Sequence, residues 1–278
     1  MMTPEFGAFA PSPLQRKFRT LAHRLPEGYW GRRLASLLLG PAGGRDGAPK
    51  DVEIFESQKA RLHPHDNICE KRVYLTPQLW DPEERRLLED AIKAHKEQLF
   101  YFVDVGANAG LYSLFARAAA MAQGIDLRAA CIEPDAEMQK RLGANIAASG
   151  AAADLRVFPY AVSDKRAPLH FSQNKESRGM SRVDKDGGVV VQGAPLAEII
   201  QSETDYPRID AMKMDIEGHE HQALDAFFKA AGRHLFPALI ILETAHEQGG
   251  ASACALCKDN GYSIVLQTRL NAVLKRVV

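Results

Sequence analysis

The chain has 278 residues, 46% hydrophobic and 25% charged, a balance that excludes disordered, collagen-like and fibrous chains and describes a globular one. Lys and Arg number 35, as do Asp and Glu, so the whole-chain electrostatics call for no nucleic acid and no strongly acidic partner. The zero is an average: residues 1–50 hold eight Lys/Arg against three acids, and the remainder carries the compensating negative excess. Four cysteines are too few for a disulfide framework. Cys254 and Cys257, the close pair, read as small buried residues at helical spacing. No apolar run reaches the about 20 residues that span a bilayer. The stretch 32–40 is too short and too far from Met1 for an export signal, so a reduced, cytoplasmic protein is expected.

Residues 1–50 read as a basic extension and linker, and 51–278 as one domain. Leu14, Phe18, Leu21 and Leu25 fall at helical spacing and give a basic helix one apolar stripe. Two readings stay open for it: peripheral contact with an anionic membrane surface, or packing on the domain. Gly40 to Pro49 reads as the linker. Residues 52–79 read as short strands and turns, with Lys71 to Leu75 the clearest strand. Asp81 then caps a helix that starts at Pro82 and buries Leu87, Leu88, Ala91 and Ile92.

Phe100 to Val105 is a continuous apolar run that enters a glycine-rich turn, and Tyr112 to Ala122 is helical. A strand at Ala129 to Ile132 and a helix from Pro134 to Ser149 follow. Val157 to Val162, Ile209 to Ile216 and Ala238 to Glu243 are further strands, with a helix from Glu220 to Ala231. Strands apolar on both faces and alternating with helices predict a parallel sheet covered on both sides. Tyr262 to Leu266 and Ala272 to Val278 predict an antiparallel hairpin at its edge, so the sheet is mostly parallel. Leu169 to Phe171 and Val189 to Gln192, around a turn at 184–188, read as a β insertion near the carboxyl ends of the strands.

Ligands of an open parallel sheet bind outside those carboxyl ends. Asp104 lies there, followed by Gly106, Ala107, Asn108 and Gly110, where glycines admit a ligand close to the backbone and leave helix amides to bind it. Glu133 ends the next strand before Pro134, and a carboxylate there suits the two hydroxyls of a ribose. A dinucleotide loop has the pattern G-x-G-x-x-G, whereas here Asn108 replaces the middle glycine. Asp104 also repels a pyrophosphate and suits a ligand carrying an ammonium and a sulfonium. S-adenosylmethionine is favoured over NAD on these grounds. Lys213, Asp215 and Glu217 alternate on what reads as a buried strand, where charges are costly unless paired or used. Lys213 and Asp215 also admit a plain buried ion pair. Gly218, His219 and Glu220 turn into a helix, and Glu243 ends the following strand with His246 just beyond.

With "FVDVGANAGLYSL", "CIEPDAEMQKRLGANI", "AVSD" at 161–164, "MKMDIEGHEHQAL" and "LIILE" in this order, the chain resembles the FkbM family of S-adenosylmethionine-dependent methyltransferases from about Tyr74 to Leu266. The resemblance implies a class I methyltransferase (Rossmann-like) α/β fold, with a seven-stranded, mostly parallel sheet and helices on both faces. It implies that Asp104, Gly106, Asn108 and Gly110, with Ala107 between, hold the methionine end. Glu133, with Pro134 beside it, then holds the ribose, and Ala161 and Ser163 lie by the adenine. Asp215 to Glu220 then faces donor and acceptor. Ala197 departs from the Asp common in the family, and residues 1–50 lie outside the match.

The expected reaction is O-methylation of a small-molecule or glycan hydroxyl, the acceptor class being supplied by the resemblance. His219 and Glu217 are the candidate general bases, since a hydroxyl acceptor must lose a proton, and Asp215 is the candidate positioning residue. Asp215, Glu217 and Glu243 also have the chemistry of a divalent-metal site, and the metal-free reading is preferred. An NAD-dependent oxidoreductase and a non-catalytic cofactor-binding scaffold are the alternatives.

Overall fold

The computed structural model describes residues 4–172, 182–183, 187–245 and 252–277. Two short helices open it, α1 (Pro13–Ala22) and α2 (Tyr29–Leu38). Ser12 and Gln15 cap α1 reciprocally, each side chain accepting the other's backbone amide. The extension is packed on the domain. Ala22, Ala35 and Ala42 belong to its core, and Asp51 accepts from the amides of Gly7 and Phe9 at 2.8 and 3.1 Å. The Gly40 to Pro49 stretch is no free tether, because Ala42 to Gly44 are buried and the Tyr74 hydroxyl donates to the Ala42 carbonyl. The apolar stripe divides: Phe18 and Leu25 pack against the core, whereas Leu14 and Leu21 are 63% and 51% exposed.

An antiparallel hairpin, β1 (Lys50–Ile54) and β2 (Gln58–Leu62), follows. The strand expected at Lys71 to Leu75 is instead the end of a helix, α3 (Ile68–Leu75). Asn67 decides it, because its Oδ1 accepts from the amides of Cys69 and Glu70 at 3.0 and 3.1 Å and so starts a helical turn. Helix α4 (Pro82–Lys93) begins where expected and buries Leu88 and Ile92. Asp81, however, makes no capping bond; it takes a left-handed conformation and accepts from the Tyr112 hydroxyl at 3.0 Å.

The alternating part runs β3 (Leu99–Val105), α5 (Leu111–Gln123), β4 (Asp126–Ile132), α6 (Ala136–Ala148) and β5 (Leu155–Phe158). The apolar run to Val162 breaks after Phe158. Its end forms β6 (Ala161–Val162), which joins β7 (Ala167–Ser172), β8 (Arg182–Val183) and β9 (Val189–Ala194) in a separate four-stranded sheet. This is the expected β insertion; residues 184–186 of its predicted turn lie outside the described residues, as does His246. Helix α7 (Leu196–Glu203), which the sequence reading lacks, leads to β10 (Ala211–Met214), α8 (Glu220–Ala230), β11 (Leu239–Glu243), α9 (Ala253–Asp259), β12 (Tyr262–Gln267) and β13 (Asn271–Arg276). Cys254 and Cys257 are buried on α9, as expected.

The main sheet has seven strands in the order β12-β13-β11-β10-β3-β4-β5. The four pairs from β11 to β5 are parallel and the two involving β13 antiparallel. Side chains alternate between two cores: Phe100 and Phe102 pack with α4 and α5 on one face, and Val103 and Val105 with α7 and α8 on the other. The chain runs outward from β3 to β5, then returns to β10 beside β3. The reversal therefore opens a crevice at the carboxyl ends of β3 and β10, where such sheets bind ligands. No helix among the described residues is long and apolar enough to cross a membrane.

Candidate active site

A cleft of about 970 Å³, counting its open mouth, occupies that crevice. Its first wall is the loop from β3 to α5. Gly106 has φ +77°, and a Cβ there would sit 1.9 Å from the Asp215 carbonyl oxygen, so only glycine fits. Asn108 is also left-handed, at φ +52°, a conformation Asn tolerates. Its Oδ1 accepts from Asn67 Nδ2 and from the Ala109 amide, both at 2.8 Å. The remaining loop amides are engaged as well. Those of Gly106 and Ala107 donate to the Ile132 carbonyl and that of Gly110 to the Ala107 carbonyl, while that of Asn108 donates to Glu133 Oε2. All five loop amides from Gly106 to Gly110 are thus spent on the protein, so the loop itself is no cradle for a pyrophosphate, and of the helix amides expected to bind a ligand that of Ser113 donates to Asp104 Oδ2.

Glu133 forms the second wall. Oε2 accepts from the Asn108 amide and Oε1 from the Asp135 amide, both at 2.8 Å, which fixes the carboxyl plane. Each oxygen keeps a lone pair for a further donor. Burial, opposed by those two amides, pushes its carboxyl up to about 7. Pro134, Ala161 and Val162 continue this wall, with the rings of Tyr160 and Phe171. Ser163 is absent from the lining; its hydroxyl donates to the Lys165 carbonyl at 2.6 Å and its amide to the Ala194 carbonyl.

Charge gathers on the floor. Lys213, 5% exposed, pairs with Asp215 at 2.7 Å and stands in register with Asp104 on the neighbouring strand. Its ring neighbour is Tyr112, 5.0 Å from the ammonium. Burial lowers the Lys213 pKa, but Asp215 and Asp104 outweigh it and hold the ammonium strongly protonated. Asp104 is buried and its carboxyl is raised by desolvation, partly offset by Lys213 and by hydrogen bonds from the Ser113 hydroxyl and amide at 2.6 and 3.1 Å. The ion pair read as the plain alternative is thus present, and it lines the cleft.

The strand ends at Met214, so the alternation expected through Glu217 stops there. Glu217 sits in a left-handed turn at φ +54°, which still brings it to the cleft. Its carboxylate and those of Asp215 and Glu243 have oxygens within 4.8 Å of one another. Burial, then Asp215 and Glu217, push the Glu243 carboxyl well up, so it carries a proton and hydrogen-bonds Asp215. Lys213 and that proton supply neutralising charge to a donor set that would also suit a divalent cation. His219 precedes α8 and lines the cleft, and its Nδ1 is buried with no hydrogen-bond partner among the described residues.

The cleft therefore unites Asp104, Gly106, Ala107, Asn108, Glu133, Pro134, Ala161, Asp215, Glu217 and His219. Gly110 stands behind it as the residue before α5, with φ +82°. Sequence reasoning missed Asp81, Tyr112, Tyr160 and Phe171, which also line it. Asp81 carried a signal that pointed elsewhere, since Asp before Pro reads as a helix cap.

The strand order, the antiparallel hairpin at one edge and a cleft at the β3/β10 reversal define a class I methyltransferase fold. Residues 104–263 match the Methyltransferase FkbM domain. The chain belongs to this family. Among solved structures it is similar to the methyltransferase FkbM of Methylobacillus flagellatus KT, at 18% identity and TM-score 0.47, over 93% of this chain and 57% of that one. The chain thus spans little more than half of that relative. It is also similar to the precorrin-6y C5,15-methyltransferase of Geobacter metallireducens GS-15, at 13% identity and TM-score 0.42, over 69% of this chain and 85% of that one. A third is the O-methyltransferase of Bacillus cereus, at 11% identity and TM-score 0.42, over 70% of this chain and 82% of that one. Among curated proteins, none matches this chain significantly.

Proposed function

We propose that the chain transfers a methyl group from S-adenosylmethionine to a hydroxyl of a small molecule or glycan. The observation that carries this is the donor side of the cleft: an acid-rich floor beside a glycine loop whose amides are all spent. Such a site repels a pyrophosphate and accepts a cation, which weighs against the NAD-dependent reading. The residues fit the donor. Glu133 would hold the ribose hydroxyls, the bare backbone at Gly106 admits close approach, and Tyr160, Ala161 and Phe171 offer the adenine an apolar wall. The floor carboxylates complement an ammonium and a sulfonium. The bound donor supplies an electrophilic methyl group on sulfur.

Everything else is positioning and proton management. In-line transfer depends on alignment, and the Lys213 pair fixes Asp215 for that purpose. His219 Nδ1, buried at the cleft without a partner, is placed to take the acceptor's proton; Glu217 is the other base within the same wall. His219→Ala is expected to lower turnover by about 100-fold or more while S-adenosylmethionine affinity changes little. Unchanged turnover in His219→Ala, with a loss in Glu217→Gln, passes the role to Glu217. Turnover is expected to survive exhaustive chelation, because Lys213 and the Glu243 proton offset part of the negative charge of the cluster and the cationic donor complements the rest. The test of the proposal is release of S-adenosylhomocysteine when the protein meets hydroxylated acceptors. Tight donor binding that never gives this product with any acceptor would favour the scaffold reading.

Glu133 gives donor binding a pH dependence. Its carboxylate accepts from hydroxyls, and protonation as pH falls through about 7 removes that acceptor. Affinity is expected to drop by up to about tenfold from pH 8 to 6, measured by calorimetry; a flat profile contradicts it. For folding the sign is opposite. The folded protein favours neutral Glu133, so this stability contribution is present at low pH and lost as pH rises through about 7.

A further inference from the structure

A second cleft adjoins the first, and Asp81 lines both. Arg32 and Arg45 reach it from α2 and the turn beyond, Lys71 and Arg72 from α3, and Arg269 from the turn between β12 and β13. Its acids do not balance these cations. Glu84 is engaged at Oε1 by the Thr268 hydroxyl at 3.0 Å and Asn271 Nδ2 at 2.8 Å. Glu83 is exposed on the first turn of α4. Among the described residues, the side chains of Arg32, Lys71, Arg72 and Arg269 make no hydrogen bond or ion pair. Arg72 is close enough to Asp81 for its charge to favour the Asp81 carboxylate, which puts this cationic wall beside the donor cleft.

Unpartnered cations converging on a concave surface are a site for an anion, and Arg side chains match phosphate and carboxylate oxygens in pairs. We propose that this second cleft receives the methyl acceptor and selects one that carries a phosphate or carboxylate group. The inference rests on the methyltransfer reading above. The anionic group anchors on Arg72 and Arg269, and the acceptor hydroxyl extends past Asp81 toward His219 and Glu217.

Titrating the full chain with glucose, glucose 6-phosphate and glucuronate tests this, with the phosphate and carboxylate arms separating the two anion sources. At least one anionic sugar is expected to bind tenfold or more tightly than glucose. The Arg72→Gln/Arg269→Gln variant, shown to be folded by its thermal transition, is expected to erase the difference. Equal binding of all three sugars, or an unaffected variant, overturns the proposal. S-adenosylmethionine is titrated in parallel. Anion binding without donor binding overturns the acceptor role and the methyltransfer reading together, whereas donor binding without anion binding overturns the anionic acceptor alone.

The opposite side of α2 carries an independent feature. Trp30, Leu34 and Leu37, spaced i, i+4 and i+7, are 71%, 44% and 70% exposed, and Tyr29 beside them is 63% exposed. Exposed Arg33 belongs to this face, its guanidinium over the Tyr29 ring and donating to the Tyr29 hydroxyl at 2.7 Å, and the first fifty residues are basic on balance. Apolar and aromatic side chains on a basic segment complement an anionic lipid surface, the rings entering the headgroup boundary and the cations meeting phosphates and carboxylates. We infer that α2 docks the protein on such a membrane surface. Trp30 reports on it directly, because the only other tryptophan, Trp80, is 2% exposed. Vesicles of phosphatidylcholine with a quarter phosphatidylserine are expected to shift Trp30 emission to the blue and to co-sediment the protein. Pure phosphatidylcholine should do neither to the same extent, and Leu34→Ser/Leu37→Ser should weaken binding about tenfold or more. No shift with anionic vesicles overturns the inference, as does a concentration-dependent dimer that buries Trp30 without lipid.

Discussion

Replacing Lys213 by Met is expected to destabilise the protein by about 3–5 kcal/mol near pH 8, the range found when one member of a buried ion pair is removed. In a chain of this size that corresponds to a fall in Tm of about 10 °C. The ammonium lies 2.7 Å from Asp215 and in register with Asp104. Its loss leaves Asp104 and Asp215 with no cation, Asp215 standing beside the raised carboxyl of Glu243 as well. The pH dependence identifies the cause. Lys213 is held protonated above its ordinary range, so its charge is present throughout the accessible pH range and is lost only in strong alkali. In the variant, Asp104, already raised by burial, takes a proton first as pH falls. The deficit should therefore shrink toward pH 5.5. A deficit equal at pH 8 and 5.5 would mean lost packing against Tyr112, not lost charge.

Gly106→Ala is the second large effect, and it acts through the backbone. Its Cβ would stand 1.9 Å from the Asp215 carbonyl oxygen and 3.0 Å from the carbonyl carbon, neither of which belongs to a side chain that can swing away. The Asp215 amide is itself bonded to the Val105 carbonyl at 3.0 Å, so a displaced Asp215 pulls on the end of β3. Strain and displacement together are expected to cost about 3 kcal/mol or more and to lower donor affinity by about 100-fold or more. Gly124→Ala is the control. It shares the left-handed conformation, at φ +68°, with nothing within 4 Å of the added Cβ, and should cost only about 1 kcal/mol with donor affinity intact. Equal effects at the two positions would reduce Gly106 to a simple turn glycine.

The legible parts of the sequence were those written locally. Buried runs such as Phe100 to Val105 admit one reading in an alternating chain, and Gly106, Glu133 and the Asp215 to Glu220 turn announce themselves by polarity at strand ends. Lys71 to Leu75 misled because its apolar residues suit a strand; Asn67, four residues upstream, set the helix with its side chain. Asp81 misled for the converse reason, its local signal being a cap while Tyr112, 31 residues away, claims the carboxylate. The spent loop amides were invisible for the same cause in part, since the acceptors of three of them, Ile132 and Glu133, lie on or just after the next strand. The cationic cleft is assembled from α2, α3 and the β12–β13 turn, segments separated by most of the chain, and no spacing rule joins them.

Calorimetric titration of the full chain with S-adenosylmethionine and, separately, with NAD tests the central claim most directly. One S-adenosylmethionine is expected to bind per chain, with affinity falling by about 100-fold in Glu133→Ala and no measurable heat from NAD. Binding of NAD, with none of S-adenosylmethionine, would contradict the account.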